Sequence, residues 1–348
     1  MDEPCKGGAF LLPIVVWQFE KRKAMKEKSI SRRGFVTAMA VAPWVKKSVS
    51  TRVYGRSSAN IESFNICVFS KHLQWLNYRE MAATAAEIGF DGVDLTVRPG
   101  GHVDPERVES EMPEAAAAIS DAGLKLPMIT TAVTDPQDPK TRRILSLASK
   151  HGIDFYRMGY YRYREDLPVE ETLDSVQKSL AGLDELNREY NLVGDYQNHA
   201  GKNYFGASLW DLWYAMKGLD TRFTGVQFDL RHAGVEGALN WPVDFRLLQS
   251  RVHTLVIKDH RWEKTGGKYR VINCPLGEGM ADFPALFARL RELKWHGPLT
   301  LHFEYPLGGA EHGHRTLTCV PQVVTQAMKR DLGLLRHWLA EAGLQSRS

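Results

Sequence analysis

Three apolar stretches of the chain end in side chains that can hold a cation or move a proton. Residues 225–236 read Gly-Val-Gln-Phe-Asp-Leu-Arg-His-Ala-Gly-Val-Glu, residues 192–199 read Leu-Val-Gly-Asp-Tyr-Gln-Asn-His, and residues 299–305 read Leu-Thr-Leu-His-Phe-Glu-Tyr. Each begins with the β-branched and aromatic composition of a buried strand. Ionised groups stay inside a protein only when they are paired or metal-bound. Side chains alternate along a strand, so Gln197 and His199 share a face, as do Gln227 and Asp229, and His302 and Glu304. On a further strand Val256 and Lys258 share a face, while His253 lies on the other. One consistent assignment sends Gln197, Asp229, Lys258 and Glu304 to a common mouth. Two carboxylates beside an amide oxygen and imidazoles suit Mn²⁺, Mg²⁺, Zn²⁺ or Co²⁺. Such an ion polarises a carbonyl or a hydroxyl pair, and a bound carboxylate or Lys258 then moves a carbon-bound proton.

Each residue also has a plainer reading. Asp229 and Glu304 can be structural carboxylates paired to cations. Gln197 can be a hydrogen-bonded core amide, and His199 and His302 can be hydrogen-bonded core histidines. Lys258 can neutralise Asp259 or Glu304. Lys71 and His72 follow the first strand and reach the site only by topology. Tyr160, Tyr161, Tyr163, Trp241 and Trp262 can stack on sugar faces or pack over a rim. Cys5 lies in the leader, and Cys67, Cys274 and Cys319 show no CxxC spacing, so buried free thiols are expected.

The elements that carry these residues alternate. Strands are expected over 64–69, 92–97, 126–131, 154–158, 192–197, 224–229, 252–258 and 299–304. Helices are expected over 78–88, 105–122, from the 135–139 turn to 151, and over 168–190, 208–217, 244–249, 282–293 and 321–342. Residues 259–276 have hairpin character. Strand followed by helix, eight times, implies parallel pairing and a closed (β/α)8 TIM barrel over 61–348. The Gly-rich dinucleotide fingerprint of an open doubly wound sheet is missing after the first strand. In a barrel the function sits at the C-terminal strand ends, where all the polar tips fall.

The formal charge of +4 over 348 residues is unevenly spread. Residues 1–55 hold 11 Lys and Arg against 4 Asp and Glu; the rest of the chain holds 34 against 37. The body is therefore slightly acidic, which argues against a nucleic-acid partner. No apolar run is long enough for a transmembrane span. Residues 1–60 read as a disordered or removed leader. Ser31-Arg32-Arg33-Gly34-Phe35-Val36 resembles a twin-arginine export motif, followed by a short apolar stretch and Ala40-Val41-Ala42. Periplasm or cell envelope is the expected location, with the cytoplasm as the alternative, and Met25 is a candidate start.

From about residue 64 to 305 the chain resembles the xylose isomerase-like TIM barrels, the sugar phosphate isomerase/epimerase superfamily. The residues that carry the resemblance are 89–94 (Gly-Phe-Asp-Gly-Val-Asp), Gln197-Asn198-His199, Phe228-Asp229-Leu230-Arg231-His232, Ile257-Lys258-Asp259, 275–279 (Pro-Leu-Gly-Glu-Gly) and the Glu304 strand. The resemblance implies one divalent metal at the barrel mouth and isomerisation, epimerisation or related dehydration of a carbohydrate. By position it implies Asp229 and Glu304 as ligands, with Gln197 where the family has Glu or His, and Val256 where it has a ligand His, so that the metal is either held differently, by His199, His232 or His260, or lost in this branch. It implies Lys258, His232 and Glu304 as catalytic groups. His199, Asp94, Lys71, His72 and His302 are the substrate-side candidates. A free sugar, glycoside or keto-sugar suits an exported enzyme better than a sugar phosphate. A lyase or hydratase acting on a keto-sugar, and a non-catalytic sugar-binding barrel, are the alternatives. A homodimer is compatible with a barrel of this kind.

Overall fold

The computed structural model of the chain describes residues 64–344. The leader, its export motif, Met25 and Cys5 lie outside the described residues. Eight parallel strands close a barrel: β1 (Ile66–Phe69), β2 (Gly92–Val97), β3 (Lys125–Thr131), β4 (Phe155–Arg157), β5 (Val193–Gln197), β6 (Thr224–Asp229), β7 (Val252–Ile257) and, after a two-stranded hairpin of β8 (Asp259–Thr265) and β9 (Lys268–Cys274), β10 (Leu299–Leu301). Closure comes from β10, which pairs with β7 on one edge and β1 on the other, setting Val68 opposite Leu301. Closure leaves no barrel strand with an open edge.

Helices cover the outside: α1 (Tyr78–Ile88), α2 (Val108–Asp121), α3 (Pro139–Lys150), α4 (Val169–Tyr190), α5 (Leu209–Ala215), α6 (Leu230–Gly237), α7 (Trp241–Leu248), α8 (Phe283–Glu292) and α9 (Pro321–Glu341). Their starts follow from local sequence. Asn77 and Glu80 form a reciprocal capping box on α1, and Gly89 ends that helix at φ 104°. Asp138 and Asp282 cap α3 and α8, each with Pro in the first turn. The main apolar core lies between barrel and helices and includes Phe228 against Phe245, and Phe283 stacked on Phe287 and Trp338. A small separate cluster of Met128, Phe155 and Val193 joins register neighbours on β3, β4 and β5.

Two expectations need correction. The alternation is not strict, because β6 runs directly into α6, with α7 as a second helix before β7. Asp229 ends β6 and caps α6, its Oδ1 accepting from the His232 amide at 3.1 Å. The last strand stops at Leu301, so Glu304 sits on the loop beyond it. Cys67, Cys274 and Cys319 are free thiols. Among the described residues no helix is long and apolar enough to cross a membrane.

Candidate active site

The C-terminal ends of β5, β6, β7 and β10 bring Gln197, Asp229, Lys258 and Glu304 together, and Lys258 is the hub. Its Nζ lies 3.1 Å from Asp229 Oδ2, 3.1 Å from Glu304 Oε2 and 2.9 Å from His232 Nε2. The Lys258 side chain is 3% exposed and that of Glu304 is 23% exposed, so Glu304 faces the opening and Lys258 sits beneath it. A buried ammonium is tolerable here because two carboxylates meet it.

Asp229 is fixed from all sides. Gln197 Nε2 donates to its Oδ2 at 2.7 Å, while Oδ1 caps α6. Asn198 clamps its backbone, Nδ2 donating to Asp229 O at 3.0 Å and Oδ1 accepting from Asp229 N at 2.8 Å. Burial pushes the Asp229 carboxyl up, against the pull of Lys258 and the His232 amide. Hydrogen bonding favours the carboxylate, since Gln197, Lys258 and the His232 amide all donate to it. For Glu304 the balance goes the other way. Burial acts to raise it, but Lys258, His302 and Lys71 outweigh burial and hold the carboxyl well below its usual range.

The orientation of Gln197 is set by its neighbours. Its Oε1 accepts from Arg157 Nη1 at 2.9 Å and from the Tyr160 hydroxyl at 2.5 Å. A flipped amide would set its NH₂ against a guanidinium, so Oε1 faces Arg157 and Nε2 faces Asp229. Arg157 is buried and also lies over the Tyr160 ring, 4.9 Å from its centroid. Burial pushes Tyr160 up to about 12, so it is the neutral donor of this pair.

His232 lies between two cations. Arg231 Nη1 is 2.9 Å from its Nδ1, and Arg231 also donates through Nε to Asn273 Oδ1 on β9 at 3.0 Å. A guanidinium and an ammonium both only donate, and a neutral ring has a single accepting nitrogen, so His232 accepts from one of its two cations and turns its N–H toward the other. Burial and Lys258 hold His232 well below its ordinary value, which keeps the ring neutral. The ring of His199 stacks on Tyr204 at 4.1 Å and lies tilted against His232 at 4.0 Å. Its Nδ1 lies 2.8 Å from Ala200 O, which leaves Nε2 as the acceptor, and burial holds its pKa down to about 3.

The remaining substrate-side candidates divide. Lys71 stays with the site, its Nζ 3.7 Å from Glu304 Oε1 and its side chain 18% exposed; burial lowers its pKa. His302 stacks on Phe69 at 4.2 Å with Nδ1 3.7 Å from Glu304 Oε1, and burial holds it down to about 3. His72 is not available to a substrate. Its Nδ1 donates to Ala310 O at 3.1 Å and its Nε2 accepts from the Phe303 amide at 3.0 Å, which ties β1 to the loop after β10. Asp94 is also displaced from the mouth. It is fully buried, with Oδ1 accepting from Thr130 at 2.8 Å and Oδ2 without a partner.

Sequence reasoning missed Arg157, and assigned no role to Asn198 or Arg231. A cation closing the apolar stretch Phe155-Tyr156-Arg157 was the available signal for the first. Asn198 and Arg231 stand inside the stretches that carry the resemblance, but Asp229 and Asn273, the partners that give them a role, are 31 and 42 residues away.

The donor set does not fit a divalent ion. Gln197, expected as a ligand, has its oxygen taken by Arg157 and Tyr160 and offers Asp229 an N–H. Val256, the register partner of Asp229, is buried and offers no donor. Asp229 and Glu304, the other expected ligands, already share Lys258. Among the described residues no three His, Cys, Asp or Glu converge to hold a metal. A divalent ion about 4 Å from the ammonium would add roughly 8 kcal/mol of repulsion at an effective dielectric of about 20.

Residues 82–318 match the family described as Xylose isomerase-like TIM barrel. No curated protein matches the chain. Among solved structures, a D-tagatose 3-epimerase-like protein is 15% identical, with 80% of this chain and 98% of that one covered and a TM-score of 0.59. A 3-keto-D-glucoside 4-epimerase from E. coli, in its apo form, is 17% identical over 79% and 100% of the two chains, with a TM-score of 0.59. A xylose isomerase-like TIM barrel protein from Mycobacterium smegmatis, in complex with magnesium, is 14% identical over 79% and 98%, with a TM-score of 0.60. At these identities the likeness speaks for the fold, whereas the match over more than half of the sequence speaks for descent: the chain belongs to the xylose isomerase-like TIM barrel family.

Proposed function

We propose that the barrel mouth binds a carbohydrate carrying a carbonyl and moves a proton on the adjacent carbon, the chemistry of a sugar isomerase or epimerase. The observation that carries this reading is Lys258, held 3.1 Å from both Asp229 and Glu304 below an open Glu304. Glu304 is the base and takes the carbon-bound proton. The electron pair moves onto the carbonyl oxygen, where Lys258 donates a hydrogen bond and then its proton. Once neutral, the Lys258 nitrogen carries a lone pair and can accept as well as donate toward His232 Nε2, 2.9 Å away. Return of the Glu304 proton to the neighbouring carbon, with Lys258 taking a proton back from the hydroxyl that becomes the carbonyl, completes an isomerisation. A proton delivered from water to the opposite face of the original carbon, with the same return to Lys258, completes an epimerisation. Departure of a group from the next carbon completes an elimination instead.

A carboxylate paired to lysine is a weak base. Substrate binding corrects this, because the carbonyl oxygen draws the Lys258 hydrogen bond away from Glu304. Lys71 and His199 Nε2 serve as hydroxyl-binding groups at the opening. Similarity to a 3-keto-D-glucoside 4-epimerase supports a free or glycosidic keto-sugar as substrate. The test is proton NMR in D₂O with a panel of free ketoses, keto-glycosides and sugar phosphates. Deuterium entering the carbon beside the carbonyl, and lost in Glu304→Gln, is the expected result. Saturable sugar binding with no exchange on any substrate would overturn it in favour of a binding barrel.

We further propose that the protein works in the periplasm or cell envelope, on the strength of Ser31-Arg32-Arg33 in the basic leader. Cell fractionation of the Arg32→Lys/Arg33→Lys variant should find it retained in the cytoplasm. An identical distribution of variant and wild type would count against export.

A further inference from the structure

We infer that the Lys258 ammonium takes the place of the divalent ion in this chain, so that the barrel mouth carries its own fixed cation. The inference rests on the reading of this site as the carbohydrate site. The carboxylates are met without a metal: Asp229 and Glu304 face Lys258 at 3.1 Å each, and Lys71 lies 3.7 Å from Glu304. The Arg157 and Arg231 guanidiniums, against Gln197 and His232, add positive charge that a further cation would meet.

Two departures from the family pattern, Gln197 and Val256, act together with a lysine that the resemblance includes. Gln197 keeps an amide where a carboxylate would add a third negative charge, and Arg157 turns that amide so that its N–H supports Asp229. Val256 puts an apolar wall beside Asp229, leaving no imidazole to complete a coordination sphere. Lys258 follows Val256 by two residues, on the same face of the chain, and fills the space between the carboxylates. A carboxylate at 197 would be pulled toward Lys258 and repelled by Asp229. An imidazole at 256 would compete for the same carboxylates. Each replacement suits an ammonium and disfavours a metal.

An ammonium does part of what an ion does. It stabilises negative charge growing on a carbonyl oxygen. Unlike an ion, it also supplies a proton, so the enolate oxygen is neutralised in the same step. It has no coordination sphere with which to hold two oxygens of one substrate at fixed angles. The site should therefore accept sugars with a single well-placed carbonyl and be insensitive to chelators.

The test is metal binding itself, measured on the full chain without reference to turnover. Mn²⁺ is titrated into wild type and into the Lys258→Ala/Gln197→Glu variant, with free Mn²⁺ followed by its paramagnetic resonance signal and stability followed by thermal melting. Wild type is expected to leave the free signal unchanged and to melt at the same temperature with Mn²⁺ or with EDTA. The double variant, which vacates the ammonium and restores a carboxylate, is expected to remove the signal in a saturable manner. A metal held by wild type at a hundred times its Kd would raise the melting temperature by roughly 5 °C. That rise, or about one Mn²⁺ retained per wild-type chain, would overturn the inference. So would a folded double variant that binds Mn²⁺ no better than wild type. If the double variant does not fold, the wild-type measurement decides. Proton exchange with metal retained would sink this inference and leave the proposed function standing; no exchange and no metal would do the reverse.

Discussion

The Arg157 guanidinium and the Tyr160 hydroxyl donate to one oxygen of Gln197, and that contact turns the amide N–H toward Asp229. A single amide orientation therefore separates a structural brace from a ligand. Asp94 makes a related point deeper in the barrel. Its Oδ2 has no partner, and burial lifts its pKa to about 6. The unfolded carboxyl loses its proton near pH 4. Between those values the native state binds more protons, so stability falls as pH rises through the interval. Asp94→Asn removes that loss while keeping an oxygen for Thr130. The variant should exceed wild type by roughly 3 kcal/mol at pH 7 and come close to it near pH 4. Urea midpoints at the two pH values measure this, and a wild type more stable at pH 7 would refute it.

Elements carry the site by exchanging backbone bonds across the barrel. Asn198, just past β5, bonds both the N–H and the C=O of Asp229 at the end of β6. Asn198→Ala leaves two buried backbone groups unpaired and should cost about 3 kcal/mol. Equilibrium urea unfolding reports the cost, and a loss under about 1 kcal/mol would mean that water replaces the side chain. Near the start of β6, Gly225 admits the His253 ring, whose Nδ1 lies 2.7 Å from Asp195 Oδ1. A Cβ at Gly225 would collide with Arg251 O and with that ring. Gly225→Ala should therefore destabilise by about 2 kcal/mol or more, through overpacking and a displaced imidazole. An unchanged thermal melt would show that β7 shifts freely at the register irregularity between Val226 and Gln227.

At the scale of the whole molecule, closure depends on the end of the chain. The strand β10 is three residues long and pairs with both β7 and β1. Behind it α9 buries Val324, Met328, Leu332, Leu335 and Leu339, and Asp331 Oδ2 accepts from the Tyr305 hydroxyl at 2.8 Å. Each such apolar side chain contributes about 2 kcal/mol, against a total stability of about 5–15 kcal/mol. Truncation after residue 320 should abolish cooperative unfolding, read by circular dichroism during heating. A truncated chain with a sharp melt would show that α9 is dispensable for closure.

The strand and helix periods and the order of strand and helix determined the barrel from sequence alone. These signals are local, and a closed sheet follows from their repetition. The polar strand ends were legible for the same reason: alternation sends Gln197, Asp229 and Lys258 to one end, whereas Glu304 reaches it from the loop beyond β10. The helix α6 was not, because two glycines in eight residues hide its period and its cap, Asp229, reads as the tip of a strand. The tertiary structure alone decided the partners. Arg157 and Gln197 are 40 residues apart, Asn198 and Asp229 are 31 apart, and His72 meets Phe303 across 231 residues. Sequence spacing assigns Gln197 and His72 the same polar potential, and only the packed neighbours determine that the first braces a carboxylate and the second ties two ends of the barrel together. The same packing set Lys258 between two acids, where hydrogen-bond geometry and charge balance fix what the site can hold.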